Sequence, residues 1–499
     1  MEEKYIINTT KGKIQGYENR GVIKFKGIPY AKPPIGNLRF KPPVPVDPWD
    51  DIYDATNYSP VFPQPPSGLE NMFADPLPQS EADSLTLNVW TQKLNDGKRP
   101  VMFFIHGGAF LTGSGRALDG SRLVLRGDVV VVSINYRLGP FGFLYMPDVA
   151  DATANVGLLD MVTALKWVRD NIAFFGGNPE NITIFGESAG AFAVACLLTM
   201  PAAKGLFKRA ILQSDYVTKY NCNPTTGIKA YEVLIKNLGL KKGDIKSLRN
   251  IPFERILKEL TSFDRVRRRT ENFSPVADSK TLPEHPLEAV RNGFAKDIDL
   301  FVGSNLDETK LWSLLTPEES NLTEEGLRKR VNAIMRNVNQ VESKSKELIE
   351  IYSKTRQNPN DIFDAIDTDY SFRIPCIRLA EAQSQHQPNT FMYLFSWKTP
   401  LDGGKYGAMH ALDLSFVFGI QLDRDVGIFA RKTEETQELS RKMMDAWIAF
   451  ARTGNPNHEN IPKLPPYDLE KRSTIIFDKN VTIQNDPYGD ERIVWEDIL

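Results

Sequence analysis

The sequence predicts an α/β architecture: a central, mostly parallel sheet with helices on both faces, and a helical region toward the C-terminus. Short, strongly apolar runs of strand length recur along the chain, and segments with helical spacing separate several of them. Strands that are apolar on both faces belong to sheets covered on both sides, as parallel sheets with helical crossovers are. No repeat and no low-complexity linker interrupts the 499 residues. One domain, 1–499, is therefore expected, with a core subregion 1–310 and a helical subregion 311–499.

Residues 5–17 alternate and turn at Lys11-Gly12, which predicts an N-terminal hairpin. Residues 29–80 are rich in Pro, Asp and Gly, as in "IPYAKPPIGNLRFKPPVPVDPWD". Proline fixes φ and lacks a donor, so this stretch reads as an ordered surface excursion. Buried strands follow at 86–90, 101–105, 129–136, 182–185, 209–213 and 300–305. "GLLDMVTALKWVRDNIAFFG" has helical spacing and ends on glycine, and "AFAVACLLTM" reads as another helix. "TEEGLRKRVNAIMRNVNQVESKSKELIEIYSK" predicts polar helix, before strands "FMYLFSW" (391–397) and "STIIFD" (473–478).

The composition, 41% hydrophobic and 25% charged, is that of an ordinary globular protein. A formal net charge of −2 points away from a nucleic-acid partner. The run Arg265-Val266-Arg267-Arg268-Arg269 reads as a solvated loop or helix face. The start, "MEEKYIINTTKGK", has no apolar leader-like run, and "DVVVVSINY" is far too short to span a bilayer. A soluble, cytoplasmic protein with no membrane partner is expected. Cys196, Cys222 and Cys376 are sparse, odd in number and without metal-like spacing, which suits reduced structural thiols and no metal. The sequons at Asn8, Asn321 and Asn480 read as chance occurrences.

Chemistry enters at "ITIFGESAGAF" (182–192). Strand, then Gly186-Glu187-Ser188-Ala189-Gly190, then helix is the context of a nucleophile elbow. A sharp turn would lift the Ser188 hydroxyl clear of the sheet, with the following helix N-terminus favouring developing negative charge. An acyl-transfer serine also needs an oxyanion hole. "MFFIHGGAFLTGSG" (102–115) offers one, a strand running into His106-Gly107-Gly108-Ala109-Phe110 with backbone N–H groups open to a substrate oxygen.

The base should be one of five histidines. His106 lies inside the glycine motif and reads as positioning that loop. His285 in "LPEHP", His386 in "QSQHQPN" and His458 in "GNPNH" read as surface residues. His410, in "KYGAMHALDLSFVFG", remains, and it fits the chain order serine, acid, histidine. The acid should follow a strand between them. "DLFVGSNLDETKLW" presents Asp307 and Glu308, and spacing does not choose between the two.

Nearly end to end, the chain resembles the type-B carboxylesterases, a family that includes cholinesterases and bacterial para-nitrobenzyl esterases. The resemblance rests on "FKGIPYAKPPIGNLRF", "HGGAF", "INYRLGPFGFL", "ITIFGESAG", "GLFKRAILQS", "GSNLDE", "MHALDLSFVFG" and "FARTGNPN". It implies an α/β-hydrolase fold and a triad of Ser188, Glu308 and His410, the family using glutamate at the second position. It implies oxyanion donors at Gly108, Ala109 and Ala189, with Gly107 shaping the turn. Glu187, Ser214 and Asp215 would support the nucleophile from behind. By position, Phe110, Phe192, Phe273 and Trp312 resemble pocket-wall residues.

Some positions depart from the family pattern. "Glu-Asp-Cys" becomes Ala82-Asp83-Ser84, which removes a disulfide cysteine of secreted relatives and a usual partner of Arg39; Glu81 is placed to substitute. Asp215 stands where glycine is usual. A carboxylate there would favour the His410 cation and shift activity to higher pH, an expectation that an unmoved kinetic pKa in Asp215→Gly would sink. Asp413 stands ahead of "FVFG" where glutamate is common.

These observations lead to an expected serine carboxylesterase acting on small-molecule esters through an acyl-enzyme, without cofactor, as a monomer or homodimer. Two alternatives stand beside it. One is a carbamate, toxin or lactone hydrolase or an acyltransferase using the same site. The other is a non-catalytic, neuroligin-like binding protein.

Overall fold

The alternation of the first residues becomes an antiparallel hairpin. Strand β1, Lys4–Asn8, pairs with β2, Lys13–Asn19, in a register running from Lys4↔Tyr17 to Asn8↔Lys13. Thr9 N–H closes the turn on Gly12 C=O at 2.9 Å. The computed structural model describes residues 3–66, 78–216, 218, 222–264, 273–315, 321–338, 340, 342–420 and 429–499. The basic run at 265–269 lies outside them. The chain forms two compact units, one of Met1–Ala210 with Asn221–Ala289 and one of Ile211–Tyr220 with Val290–Leu499.

In the first unit the hairpin continues into β3 (Val22–Pro29), and the two-residue β4 (Tyr53–Asp54) pairs with β2. Strands β5 (Thr86–Thr91), β6 (Arg99–Ile105), β7 (Val130–Ile134) and β8 (Gly177–Glu187) complete it. Their spatial order is β1-β2-β3-β5-β7-β6-β8. Pairing is antiparallel as far as β5–β7 and parallel from β7 through β6 to β8. Every residue of β5, β6 and β7 is buried, so this sheet is covered on both faces, as the unbroken apolar runs require. The described part of the proline-rich excursion is irregular apart from a short helical turn at Gly36–Leu38, β4 and two isolated bridges, Ala31↔Pro45 and Val61↔Gln79.

Helix α1 (Val156–Asn171) runs on into a tighter turn, Ile172–Phe175, and stops where Gly176 takes φ 79°. Helix α2 (Ala189–Thr199) is buried along its whole length. Arg137, just after β7, is tied to α1 by a buried ion pair. Its backbone N–H, Nε and Nη2 all donate to the Asp160 carboxylate, at 3.0, 2.7 and 2.6 Å. Losing one partner of such a pair costs about 3–5 kcal/mol, because the other is left charged and dry. Arg39 does find Glu81, through an Nε bond of 2.9 Å and a second close contact. Its Nη1 also donates to the carbonyls of Ile251 at 2.6 Å and Arg249 at 3.1 Å.

Strand β9 (Arg209–Gln213) carries the chain over the boundary between the units. The second unit holds β10 (Asp299–Asn305), β11 (Thr390–Phe395) and β12 (Ser473–Phe477) in parallel, with β13 (Thr482–Asn485) antiparallel at the end. The long polar stretch after residue 320 breaks into two helices, α3 (Glu324–Asn337) and α4 (Glu342–Ser353). Thr323 caps α3 by accepting from Gly326 N–H. Helix α5 (Pro359–Thr368) passes through a five-residue π turn, Asp369–Arg373, into α6 (Ile374–Ser384). Helices α7 (Leu412–Val417) and α8 (Glu434–Thr453) follow. Trp447 of α8 packs its ring against Phe301 and Tyr393 at 5.0 and 5.1 Å, so this unit has an aromatic core. Among the described residues no helix is long and apolar enough to cross a membrane.

Candidate active site

In the first unit, β8 ends at Glu187, and Ser188 then takes φ 56° and ψ −122° before α2 begins. A non-glycine residue held there stores about 1–3 kcal/mol of strain. The flanking glycines are explained by close approach. A Cβ on Gly190 would lie 2.1 Å from the Ile105 carbonyl oxygen, and one on Gly186 2.8 Å from the same atom. The end of β6 thus crosses the turn where only hydrogen fits. The first α-helical bond of α2 is Phe192 N–H to Ser188 C=O at 2.9 Å, so the N–H of Ala189 has no intrahelical partner.

Beyond β6 the chain makes the predicted glycine loop. Gly108, Ala109 and Phe110 all have positive φ, 103°, 56° and 59°. Leu111 and Thr112 both donate to Gly108 C=O, at 2.9 and 3.0 Å, which curls the loop. Gly107 presses on the elbow: a Cβ there would stand 2.7 Å from Glu187 O and 3.2 Å from Ser188 Cβ. His106 holds the loop from below. Its Nδ1 lies 2.9 Å from Gly107 O, its ring stacks on Tyr136 at 4.4 Å, and Tyr136 OH donates to His106 C=O at 2.8 Å. Burial lowers the His106 pKa to about 4, so the ring is neutral near pH 7. Phe110 and Phe192 are fully buried and meet edge to face at 5.6 Å beneath the loop, and Phe273 is buried too.

The second unit brings together two of the residues singled out in the sequence, Glu308 and His410. Glu308 is completely buried. Its Oε1 accepts from Ser214 Oγ at 2.5 Å and from Asn305 N–H at 2.7 Å. Its Oε2 lies 2.6 Å from His410 Nδ1, across 102 residues of sequence. His410 N–H also donates to Glu308 C=O at 3.1 Å. A carboxylate on Nδ1 fixes the proton there and leaves Nε2 with its lone pair. Asp307, the other acid that spacing allowed, faces elsewhere. It accepts from Ala408 N–H at 2.9 Å and pairs with Lys310 at 3.0 Å.

Around the imidazole stand aromatic rings. Trp312 meets it edge-on at 5.2 Å and Phe372 lies against it at 4.8 Å, with Tyr216 next to Phe372 at 6.2 Å. Trp312 is 44% exposed, so its ring is reachable from solvent. Asp215 is fully buried, and its backbone carbonyl accepts from Cys376 Sγ at 3.5 Å. Burial pushes the Cys376 thiol up, with the Asp215 and Glu308 charges adding to it. Asp413 is held by neutral donors, Gln213 Nε2 at 2.8 Å and Tyr393 OH at 3.1 Å. Burial raises its pKa, and the Gln213 bond opposes that rise.

The first unit therefore gathers Ser188, Glu187, Ala189, Gly107, Gly108 and Ala109. The second gathers Ser214, Glu308, His410 and Trp312. Sequence reasoning missed Phe372, Tyr216 and Asn305. Asn305 ends the strand β10 beside the acid, so the "GSNLDE" motif held a signal for it, whereas nothing in "DYSFRIP" marks Phe372.

The family model described as the carboxylesterase family matches residues 3–495. The chain belongs to the carboxylesterase family. It is 40% identical to the para-nitrobenzyl esterase of Bacillus subtilis (strain 168), over 98% of this chain and 97% of that one. It is 34% identical to the phenmedipham hydrolase of Pseudarthrobacter oxydans, over 94% of each. A crystal structure of the Geobacillus stearothermophilus carboxylesterase at pH 6.2 superposes with a TM-score of 0.87 at 39% identity, covering 98% of this chain and all of that one. This carboxylesterase has the α/β-hydrolase fold and is a carboxylic ester hydrolase acting on small-molecule esters.

Proposed function

We propose that this carboxylesterase works through Ser188, His410 and Glu308 as a single triad. The observation that carries the proposal is the 2.6 Å contact of buried Glu308 with His410 Nδ1, which leaves Nε2 as the base. His410 takes the Ser188 proton as Oγ attacks the ester carbonyl, and it returns that proton to the departing alcohol. Water then repeats the cycle on the acyl-enzyme. The N–H groups of Gly108, Ala109 and Ala189 receive the oxyanion, each such donor being worth about 10²–10³ in rate. Glu308 balances the imidazolium, and Ser214 and Asn305 hold Glu308.

The rings of Trp312 and Phe372 flank the base, which is where the alcohol leaves, and Tyr216 stands next to Phe372. They suit esters of apolar, bulky alcohols, a class into which the nitrobenzyl esters in the name of the Bacillus subtilis relative fall. All proposed groups lie on one chain, so a monomer suffices and a homodimer would add none of them. Three buried free cysteines, together with Ser84 at the position of a disulfide cysteine in secreted relatives, favour the cytoplasm.

The test is intact-mass spectrometry after paraoxon treatment, with p-nitrophenyl ester turnover recorded in parallel. One stoichiometric adduct is expected, absent in Ser188→Ala, with activity of that variant down by about 10⁴-fold or more. An adduct that survives in Ser188→Ala would move the nucleophile elsewhere.

A further inference from the structure

We infer that the π turn Asp369–Arg373 is a device that seats Phe372 against His410, making Phe372 a positioning residue for the imidazole. The inference rests on reading His410 as the general base.

Three residues of one helical run touch three parts of the second unit's site. Thr368 Oγ1 accepts from Thr309 N–H at 3.3 Å, next to Glu308. Phe372 lies 4.8 Å from the His410 ring. Cys376 Sγ donates to the carbonyls of Gly303 at 3.4 Å and Asp215 at 3.5 Å. These residues are four apart and four apart again. In an unbroken α-helix each step of four overshoots a full turn by about 40°, so Cys376 would sit about 80° round from Thr368. A wider π turn rotates less per residue and absorbs that drift. All three side chains then face one way. A π turn is a rare conformation, and here it aligns the one aromatic residue of the stripe with the base.

The turn is locked from its far side. Arg373 donates to Asp369 through Nε and Nη2, both at 2.6 Å, and through Nη1 to Pro487 C=O at 3.1 Å. Tyr352 OH also donates to Asp369, and Trp495 Nε1 donates to Tyr352 OH at 2.8 Å. Arg373, Asp369, Tyr352 and Trp495 are all buried. This network reaches α4 and the C-terminal residues, yet its effect at the base is delivered by a single ring.

With Glu308 on Nδ1, Trp312 edge-on and Phe372 across the ring, the imidazole has little room to swing. A general base must point Nε2 along one line, and misplacement by an ångström can cost about 10²-fold in rate. Phe372 also keeps water off the ring, which disfavours the imidazolium. The titratable and charged groups on the elements packed here are Glu308 with Asp307 and Lys310 beside it, Asp215, Asp413, the Cys376 thiol, Tyr393, Asp369 and Arg373 of the turn itself, and Asp364 and Asp367 of α5, whose pKa values burial raises to about 7 and about 6.

The test compares wild type, Phe372→Leu, Phe372→Tyr and His410→Gln on p-nitrophenyl acetate and p-nitrophenyl octanoate from pH 5 to 9. For Phe372→Leu we expect kcat on the small acetate to fall about tenfold with KM within about twofold. The acid limb of kcat/KM should move up by roughly half a pH unit, because water reaching the ring favours its cation. Phe372→Tyr should recover most of kcat. Phe372→Met, whose unbranched side chain adapts to an irregular gap, carries the test if the leucine variant does not fold. Unchanged kcat and an unchanged acid limb, with KM altered for the octanoate alone, would overturn the inference and leave Phe372 as a pocket wall. Wild-type activity in His410→Gln would instead overturn the base assignment itself.

Discussion

In the first unit Ser188, the proposed nucleophile, and the glycine loop beside it are held by backbone. Ile105 C=O lies across Gly190, and Gly107 presses on Ser188, with distances that leave no room for a side chain. In the second unit Glu308 and His410, the proposed acid and base, are held largely by side chains. Ser214 Oγ and Asn305 N–H grip one oxygen of Glu308, and His410 takes the other. The two constructions should fail differently. A backbone cradle tolerates no added atom but is indifferent to protonation. A hydrogen-bonded relay tolerates isosteric replacement in shape but not in charge.

Glu308→Gln probes that contrast most strongly. It should fold like wild type and lose about 10⁴-fold in kcat, because the amide no longer fixes the Nδ1–H tautomer. Circular dichroism with steady-state kinetics reads both halves, and a kcat within tenfold of wild type would remove the relay from the second unit. Gly107→Ala comes next. Its Cβ would meet Glu187 O at 2.7 Å and displace the loop, so about 10²–10³ in kcat and a slower rate of paraoxon labelling are expected. Unaltered labelling would show that the loop can shift at no cost.

The smallest effect concerns stability and sets a limit to that indifference, since the buried His106 ring that holds the loop can take a proton. Burial lowers that pKa to about 4, against 6.5 for an unperturbed histidine. The unfolded chain then binds more protons between these values, so the contribution is complete above about pH 6.5 and is lost as pH falls toward 4. Urea unfolding of wild type should lose on the order of 2–3 kcal/mol between pH 7 and about pH 4.5 that His106→Gln does not lose. Parallel curves for the two proteins would mean that His106 is charged in the fold.

The same contrast explains what was legible. The elbow could be read because backbone crowding dictates residue type, and Gly186 and Gly190 are the only residues that fit under Ile105 C=O. Buried strands could be read because β5, β6 and β7 are buried on both faces and rich in apolar residues. The relay could not be read from spacing. Glu308 and Asp307 are neighbours that point to different partners, and only the return of the chain 102 residues later distinguishes them. His410 emerged by elimination, and two rejected histidines are bonded to backbone carbonyls, His386 to Arg291 C=O and His458 to Lys442 C=O. Phe372 was invisible because a π turn has no residue signature. It exists through Tyr352, Asp369, Arg373 and Trp495, which meet only in the folded unit.

The φ of 56° at Ser188 has a practical side for anyone who sets out to harden this enzyme. Glycine would occupy that position without strain, so a selection that rewards heat resistance alone would favour replacing the residue we propose as the nucleophile. Turnover has to be scored beside melting temperature in every round, or the winners will be well-folded and inert.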